Sequence, residues 1–318
     1  MAKHWWGVAA LAAAALGVAA CNIHEALFGF PEPAIAVTGP GPVELHYREA
    51  NGLVILTGRV NDRADVDFIL DTGAPVTVFV DGKQTAALGL DTSAARPLGD
   101  AKDPATPVGV IERDFRIAFP GLALSGLSAV VIPGKSLPCP ERFAAIDFGG
   151  VIGADLFRRF VVEVDRVGKR VILHEPKDWR PPEGAAFVPL GFSGGHPYVD
   201  AKVLLASGDE VPARLHLDTG MNKSLKLVAG GGSPIPMPAT GEVKKACYVS
   251  GVREERVGPP VTVQLGAARL PVASPPYTTR ENTTDVARSG ILGNDAFRAR
   301  RVFIDYPSRR LGVSSPAA

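Results

Sequence analysis

The tripeptide Asp-Thr-Gly occurs twice, at Asp71-Thr72-Gly73 and at Asp218-Thr219-Gly220, each copy closing an apolar run. One copy alone carries little weight, but a second in matching surroundings demands a duplicated architecture. Downstream of the first copy stands GGVIGADLFRRFVVEVDRVGKRVIL (from Gly149), and downstream of the second SGILGNDAFRARRVFIDYPSRRLGV (from Ser289). Aligning Gly153 with Gly293 also matches Phe157 with Phe297, Arg158 with Arg298, Val162 with Val302 and Asp165 with Asp305. Upstream, GLVILTGRV (from Gly52) and PYVDAKVLL (from Pro197) each read as a strand that leads through a short polar turn into a DTG strand. The DTG copies are 147 residues apart (71 to 218) and the glycines 140 apart (153 to 293). One unit of about 130 residues is therefore present twice. A period this long implies two similar lobes, since solenoid repeats run to roughly 20–50 residues.

The local patterns point to an all-β chain. The 35 Gly and 28 Pro punctuate short apolar stretches rich in Val, Ile and Leu. VILTGRV, VDFIL, VTVFV, FVVEVD, RVIL, VTVQL and RVFID have the length and β-branched content of strands. Only LFRRF and AFRAR look helical, each starting near an acidic residue, Asp155 or Asp295, placed where an N-cap or first-turn carboxylate would meet free N–H groups. The expected division is a signal segment over 1–21, a Pro- and Gly-containing tether over 22–45, and lobes over 46–178 and 179–318. A formal net charge of +1 argues against electrostatic binding of nucleic acid.

The first twenty residues have a basic start at Lys3, an apolar stretch from Gly7 to Val18 and small residues before Cys21. The apolar stretch is too short to span a bilayer comfortably and reads as a secretory signal. Val18-Ala19-Ala20-Cys21 resembles the lipobox of bacterial lipoproteins, which implies acylation of Cys21 and a lipid anchor facing the periplasm or other extracytoplasmic space. The plainer alternative is ordinary cleavage at the Ala-Ala site. An oxidising compartment permits a disulfide between Cys139 and Cys247, but spacing alone leaves pairing and two free thiols both open.

Two identical carboxyls brought together around one water cannot both stay ionised, so they hold one proton between them. The ionised member can take a proton from the water while the protonated member donates to a carbonyl oxygen. Asp71 and Asp218 are the candidates. The competing reading is a pair of ordinary turn aspartates. No Cys/His cluster has metal-ligand spacing, and no G-x-S-x-G elbow or phosphate loop is present, so no metal or organic cofactor is expected.

At these residues the chain resembles the retropepsin-like aspartic proteases. DTGAPVTV is similar to the family's DTGA-x-x-TV signature, and VIGADLF and ILGNDAF resemble its apolar-apolar-Gly motif. The resemblance covers about residues 46–315 and implies two pseudo-twofold-related lobes of acid-protease type, with short helices after the Gly motifs. Both halves would lie in one chain, making a monomer that hydrolyses polypeptides. Asp71 and Asp218 would be the catalytic pair, Thr72 and Thr219 would cross-bond the two loops, and Gly73 and Gly220 would complete the turns.

The second copy departs from the signature. Met221-Asn222-Lys223 stands where the first lobe has Ala74-Pro75-Val76, so Met221 is expected to crowd the cleft and Lys223 to bring a positive charge near it. A non-catalytic peptide-binding lipoprotein on the same fold is therefore the alternative function, and a structural envelope lipoprotein a third. Strand alternation places Ile69 and His216 on the side of Asp71 and Asp218, as one apolar and one titratable flank of the cleft. His216 has an equally good reading as a core or turn histidine. Neither Ala74 nor Met221 offers a hydroxyl to stabilise a charged carboxylate, which implies an optimum at weakly acidic to neutral pH. Pro97–Glu112 and Thr240–Arg256, both polar and loop-like, are the candidates for hairpins that cover the cleft, with Gly109 and Gly251 at their tips; ordinary surface loops are the alternative.

Overall fold

A computed structural model of the chain describes residues 32–98, 108–137, 145–248, 251–279 and 289–316. The signal segment, Cys21 and Cys139 lie outside these residues. Cys247 is disulfide-bonded. Among the described residues no helix is long and apolar enough to cross a membrane.

The fold is all-β, and the described strands assemble into three sheets. Two of them repeat one plan. In the first, Leu53–Val60 pairs antiparallel with Ala64–Leu70, the strand that delivers Asp71. Gly150–Ile152 then runs parallel to Phe68–Leu70 and antiparallel to Val78–Phe79. In the second, His196–Leu204 pairs with Glu210–Asp218, and Gly290–Gly293 runs parallel to Leu215–Asp218 and antiparallel to Leu225–Leu227. Each Gly-motif strand is thus wedged between the strand entering its DTG turn and the strand leaving it.

The third sheet joins the repeats. Its six strands run Ala186–Pro189, Arg310–Val313, Arg301–Asp305, Val161–Asp165, Arg170–His174 and Val43–His46. At its centre Val162 pairs with Ile304, Glu163 with Phe303 and Val164 with Val302. Glu163 and Phe303 are 140 positions apart, the spacing of the two glycine motifs, so equivalent strands meet about a pseudo-twofold axis through this pair. Asp165 and Asp305 build the adjoining hairpins. Asp165 accepts from the amides of Gly168 (2.8 Å) and Val167 (3.1 Å), and Asp305 from that of Ser308 (2.9 Å). Their recurrence in the sequence is explained by turn chemistry.

Fully buried Phe68, Phe79, Phe157 and Phe160 from the first repeat and Phe297 from the second belong to one continuous core. Phe157 stacks on Tyr306 at 5.3 Å, so aromatic packing crosses from one repeat to the other.

Three expectations need correction. The stretch read as a tether contains two strands, Ala34–Val37 on Leu122–Ser125 and Val43–His46 on Arg170–Leu173. Both alternate in burial, and their flanking Pro and Gly mark turns between them. The helices after the glycine motifs form, as an α-turn over Ala154–Phe157 and a 3₁₀ turn over Asn294–Phe297, with Asp155 and Asp295 in their first turns as expected but with no side-chain cap bond. Asp155 instead accepts from the amide and hydroxyl of Thr77 (2.7 and 2.8 Å), and Asp295 from the hydroxyl of Ser224 (3.0 Å). Helices this short offer little dipole, whereas the loop after each DTG has donors to satisfy. Third, Gly109 is no hairpin tip, since it lies within a ladder opposite Arg96. The second candidate cover is a hairpin as expected, with Val243–Tyr248 paired to Gly251–Val257.

Candidate active site

The strands Ala64–Leu70 and Glu210–Asp218 deliver the two DTG turns to the same place. Each turn reverses tightly: the Ala74 amide donates to Asp71 O (3.3 Å) and the Met221 amide to Asp218 O (3.2 Å). The turns are locked together by reciprocal hydrogen bonds of their threonines. Thr72 Oγ1 accepts from the amide of Thr219 (3.1 Å) and donates to Leu217 O (2.7 Å). Thr219 Oγ1 accepts from the amide of Thr72 (2.9 Å) and donates to Leu70 O (2.8 Å). Both threonines are buried, and each hydroxyl uses its donor and acceptor capacity at once.

The glycines that follow make room for the opposing carboxyls. A Cβ on Gly220 would overlap the carboxyl of Asp71, and one on Gly73 would stand 3.0 Å from the Asp218 carboxyl. The glycine motifs serve the same loops from behind. Ile152 O accepts from the Asp71 amide (3.0 Å), while the amides of Ala154 and Asn294 donate to Ala74 O and Met221 O (3.0 Å each). A side chain on Gly153 would overlap Ala74 O, and one on Gly293 would overlap Lys223 O. These close main-chain approaches account for glycine at the matched positions.

Asp71 and Asp218 are hydrogen-bonded to each other through their side chains. Asp71 Oδ1 also accepts from the amides of Gly73 (2.6 Å) and Gly220 (3.1 Å). Burial, followed by the charge of Asp218, pushes Asp71 well above the ordinary carboxylate range. Burial also raises Asp218, against the opposing influence of the bond to Asp71 and the charge of Lys226. Two such groups at this separation hold a shared proton.

Ile69 and His216 occupy equivalent places beside the two aspartates. Ile69 pairs with Ile55 and belongs to an apolar cluster with Leu53 and Ile146. His216 pairs with Tyr198, and its ring lies 5.3 Å from that of Tyr198 and 5.1 Å from that of His196. Ala74 and Met221 are both buried, and the methyl end of Met221 lies over Gly293. Lys223 Nζ pairs with Glu255 at 2.5 Å, tying the hairpin Val243–Val257 to the segment after the second DTG. On the first repeat, Leu98 packs against the apolar cluster of Val76, Val130 and Ile132.

Two residues at the site escaped the sequence reading. Lys226 is a buried lysine inside the strand LKLVA, and Tyr306 is buried with its hydroxyl donating to Thr72 O (3.4 Å). A charged residue interrupting an apolar strand was the available signal for Lys226. Tyr306 occupies the position of Arg166 in the first repeat and had no comparable mark. Among the described residues no three His, Cys, Asp or Glu side chains converge as a metal site requires. A separate concavity of about 400 Å³, lined by Arg159, His174 and Trp179 among others, includes no DTG residue.

Residues 56–156 match the family model of aspartyl proteases. The match spans the first DTG turn and the first glycine motif, less than half of the chain. No curated protein matches the chain.

Replacing Thr72 by Val should leave the Thr219 amide and Leu217 carbonyl buried without their partner, costing about 3 kcal/mol in urea unfolding, whereas Thr72→Ser should cost less than about 1 kcal/mol. The dyad also makes stability fall as pH rises. Both carboxyls are easier to protonate in the folded protein than in the unfolded chain, which releases its protons near pH 4. Their contribution is therefore fully present below about pH 4 and is lost as pH climbs through the folded-state titration. Asp71→Asn should raise the melting temperature at pH 7 by about 3 °C or more, and the gain should vanish at pH 3.

Proposed function

We propose that the chain is an aspartic endopeptidase that cuts peptide bonds with a water molecule activated by Asp71 and Asp218. The observation that carries this reading is the reciprocal bonding of Thr72 and Thr219, which holds two DTG turns so that their carboxyls share a hydrogen bond. A pair of turn aspartates with structural duties alone would have no need of glycines that clear space for the opposite carboxyl. The aspartyl protease match over residues 56–156 supports the same chemistry.

In this mechanism the ionised carboxylate takes a proton from water as the water oxygen attacks the peptide carbonyl. The protonated carboxyl gives its proton to the carbonyl oxygen, forming a neutral tetrahedral diol. Return of a proton to the nitrogen then breaks the C–N bond. Thr72, Thr219, Gly73 and Gly220 hold the geometry, and Ile69, Ala74, His216 and Met221 shape the flanks that receive substrate. Burial that raises both carboxyls favours activity at weakly acidic to neutral pH. The two lobes, 46–178 and 179–318, supply one aspartate each, so a monomer suffices. Cys21 carries the lipid that anchors the enzyme to a membrane of the cell envelope, facing outward from the cytoplasm.

The soluble chain from Asn22 should cleave members of a diverse peptide library, and Asp71→Asn or Asp218→Asn should reduce kcat by about 10²–10⁴-fold or more with the fold retained. Peptide binding without cleavage by the wild-type chain would instead identify a binding lipoprotein. Cys21→Ser should move the protein from the membrane fraction to the soluble fraction and abolish the mass increment of an acylated N-terminal peptide; unaltered membrane retention would reject the anchor.

A further inference from the structure

The two repeats differ most in one cross-strand row beside the aspartates. In the first, Val78 pairs with Val151, Val151 with Ile69 and Ile69 with Ile55. In the second, Lys226 pairs with Ile291, Ile291 with His216 and His216 with Tyr198. Cross-strand partners project from one face of a sheet, and residues two apart on a strand share it. Asp218 follows His216 by two, so Lys226 stands on the face that carries the Asp218 carboxyl.

The separation is short enough to matter. Lys226 is two strands across and two residues back from Asp218, which gives a Cα separation of roughly 12 Å. A lysine stem of four methylenes covers about half of that distance, and the aspartate reaches toward it. Lys226 is also a buried residue, and a charge in such surroundings is weakly screened. Its charge is felt at Asp218.

Other positions near the pair also differ between the repeats, among them Tyr306 against Arg166 and Met221 against Ala74. The amides of Gly73 (2.6 Å) and Gly220 (3.1 Å) both donate to Asp71 Oδ1. These two bonds favour charge on Asp71, so a preference for charge on Asp218 must come from another group and act against them. Among the described residues, the charged or titratable groups on the elements around Lys226 include His216 and Asp218 on one strand, Tyr198 and His196 packed on His216, and Glu255 and Lys223, which form an ion pair. The Gly290–Gly293 strand contributes the apolar Ile291. Val78, the first-repeat counterpart, carries no charge.

We propose that Lys226 is a positioning residue that sets the polarity of the pair, holding the shared negative charge on Asp218 and leaving the proton on Asp71. The inference rests on the endopeptidase reading for its catalytic meaning. Asp218 then takes the proton of the attacking water while Asp71 gives its proton to the carbonyl oxygen, and the new C–O bond forms. On collapse, Asp218 returns a proton to the leaving nitrogen, Asp71 recovers one from the diol, and the C–N bond breaks. Atoms and charge balance, and the pair ends as it began. A pseudo-symmetric site thereby acquires a fixed acid and a fixed base.

The test is the pH dependence of kcat/KM for the soluble chain from Asn22 on a library-derived peptide, comparing wild type with Lys226→Met and Lys226→Arg. Removing the charge should move the acidic limb upward by about one pH unit or more, with a smaller change on the plateau, and Lys226→Arg should restore the wild-type limb. A purely structural role would lower activity equally at every pH, and an unmoved limb in Lys226→Met overturns the proposal. A second measurement needs no activity. Carbon-13 titration of labelled aspartate in Asp71→Asn isolates Asp218, whose midpoint should rise by about one unit or more when Lys226→Met is added. No rise there also overturns the proposal. A wild-type chain that cleaves nothing would defeat the endopeptidase reading, while the titration would still decide the role of Lys226.

Discussion

Four hydrogen bonds between two threonines and the main chain of the opposite turn hold the centre of this protein together. Each hydroxyl accepts from the facing threonine's amide and donates to a carbonyl at the end of the facing DTG strand, in surroundings closed to water. Buried donors and acceptors are costly to leave unpaired, so neither turn is satisfied without the other. The approach of the two aspartates is a consequence of this lock. Their repulsion is borne by a network that would lose more by opening.

The remainder of the fold can be understood as support for that lock. The six-stranded sheet aligns the repeats about the Glu163–Phe303 pair, and Glu163 there bonds to Arg301 and His174. The glycine-motif strands press each turn from behind through main-chain bonds that no side chain could allow. Asp155 and Asp295 then fasten the segments leaving the turns. The contacts of the glycine-motif strands and of the two aspartates occur twice in related form, which is why the sequence repeats there and diverges between. Where the repeats differ, at Lys226 against Val78, at His216 against Ile69 and at Tyr306 against Arg166, the difference lies within reach of the carboxyls. Duplication supplies the scaffold and local divergence supplies the chemistry.

The fold class was legible because strand patterns and turn residues act locally. VTVQL and RVFID are strands over the residues read from the sequence, Val261–Leu265 and Arg301–Asp305. The meeting of the DTG turns was also legible, since a motif that recurs with its flanks must be used twice in the same way. Other expectations failed for physical reasons. Asp155 and Asp295 resembled helix caps because sequence shows only the neighbour along the chain, whereas their donors come from residues 78 and 71 positions away. The strands Ala34–Val37 and Val43–His46 resembled a linker because each is short and depends on a partner remote in sequence. Lys226 passed unnoticed because its significance depends on the neighbours two strands away.

The amino-acid sequence by itself determined a duplicated β architecture, a pair of DTG turns and the glycines that recur with them, since each is written in local pattern and repetition. Tertiary structure alone decided what those residues touch: threonines bonded across 147 positions, aspartates fastening loops rather than helices, and a buried lysine on the face of one carboxyl. The reason is that periodicity encodes which face a residue occupies, while the partner on that face is chosen only when distant strands come into register.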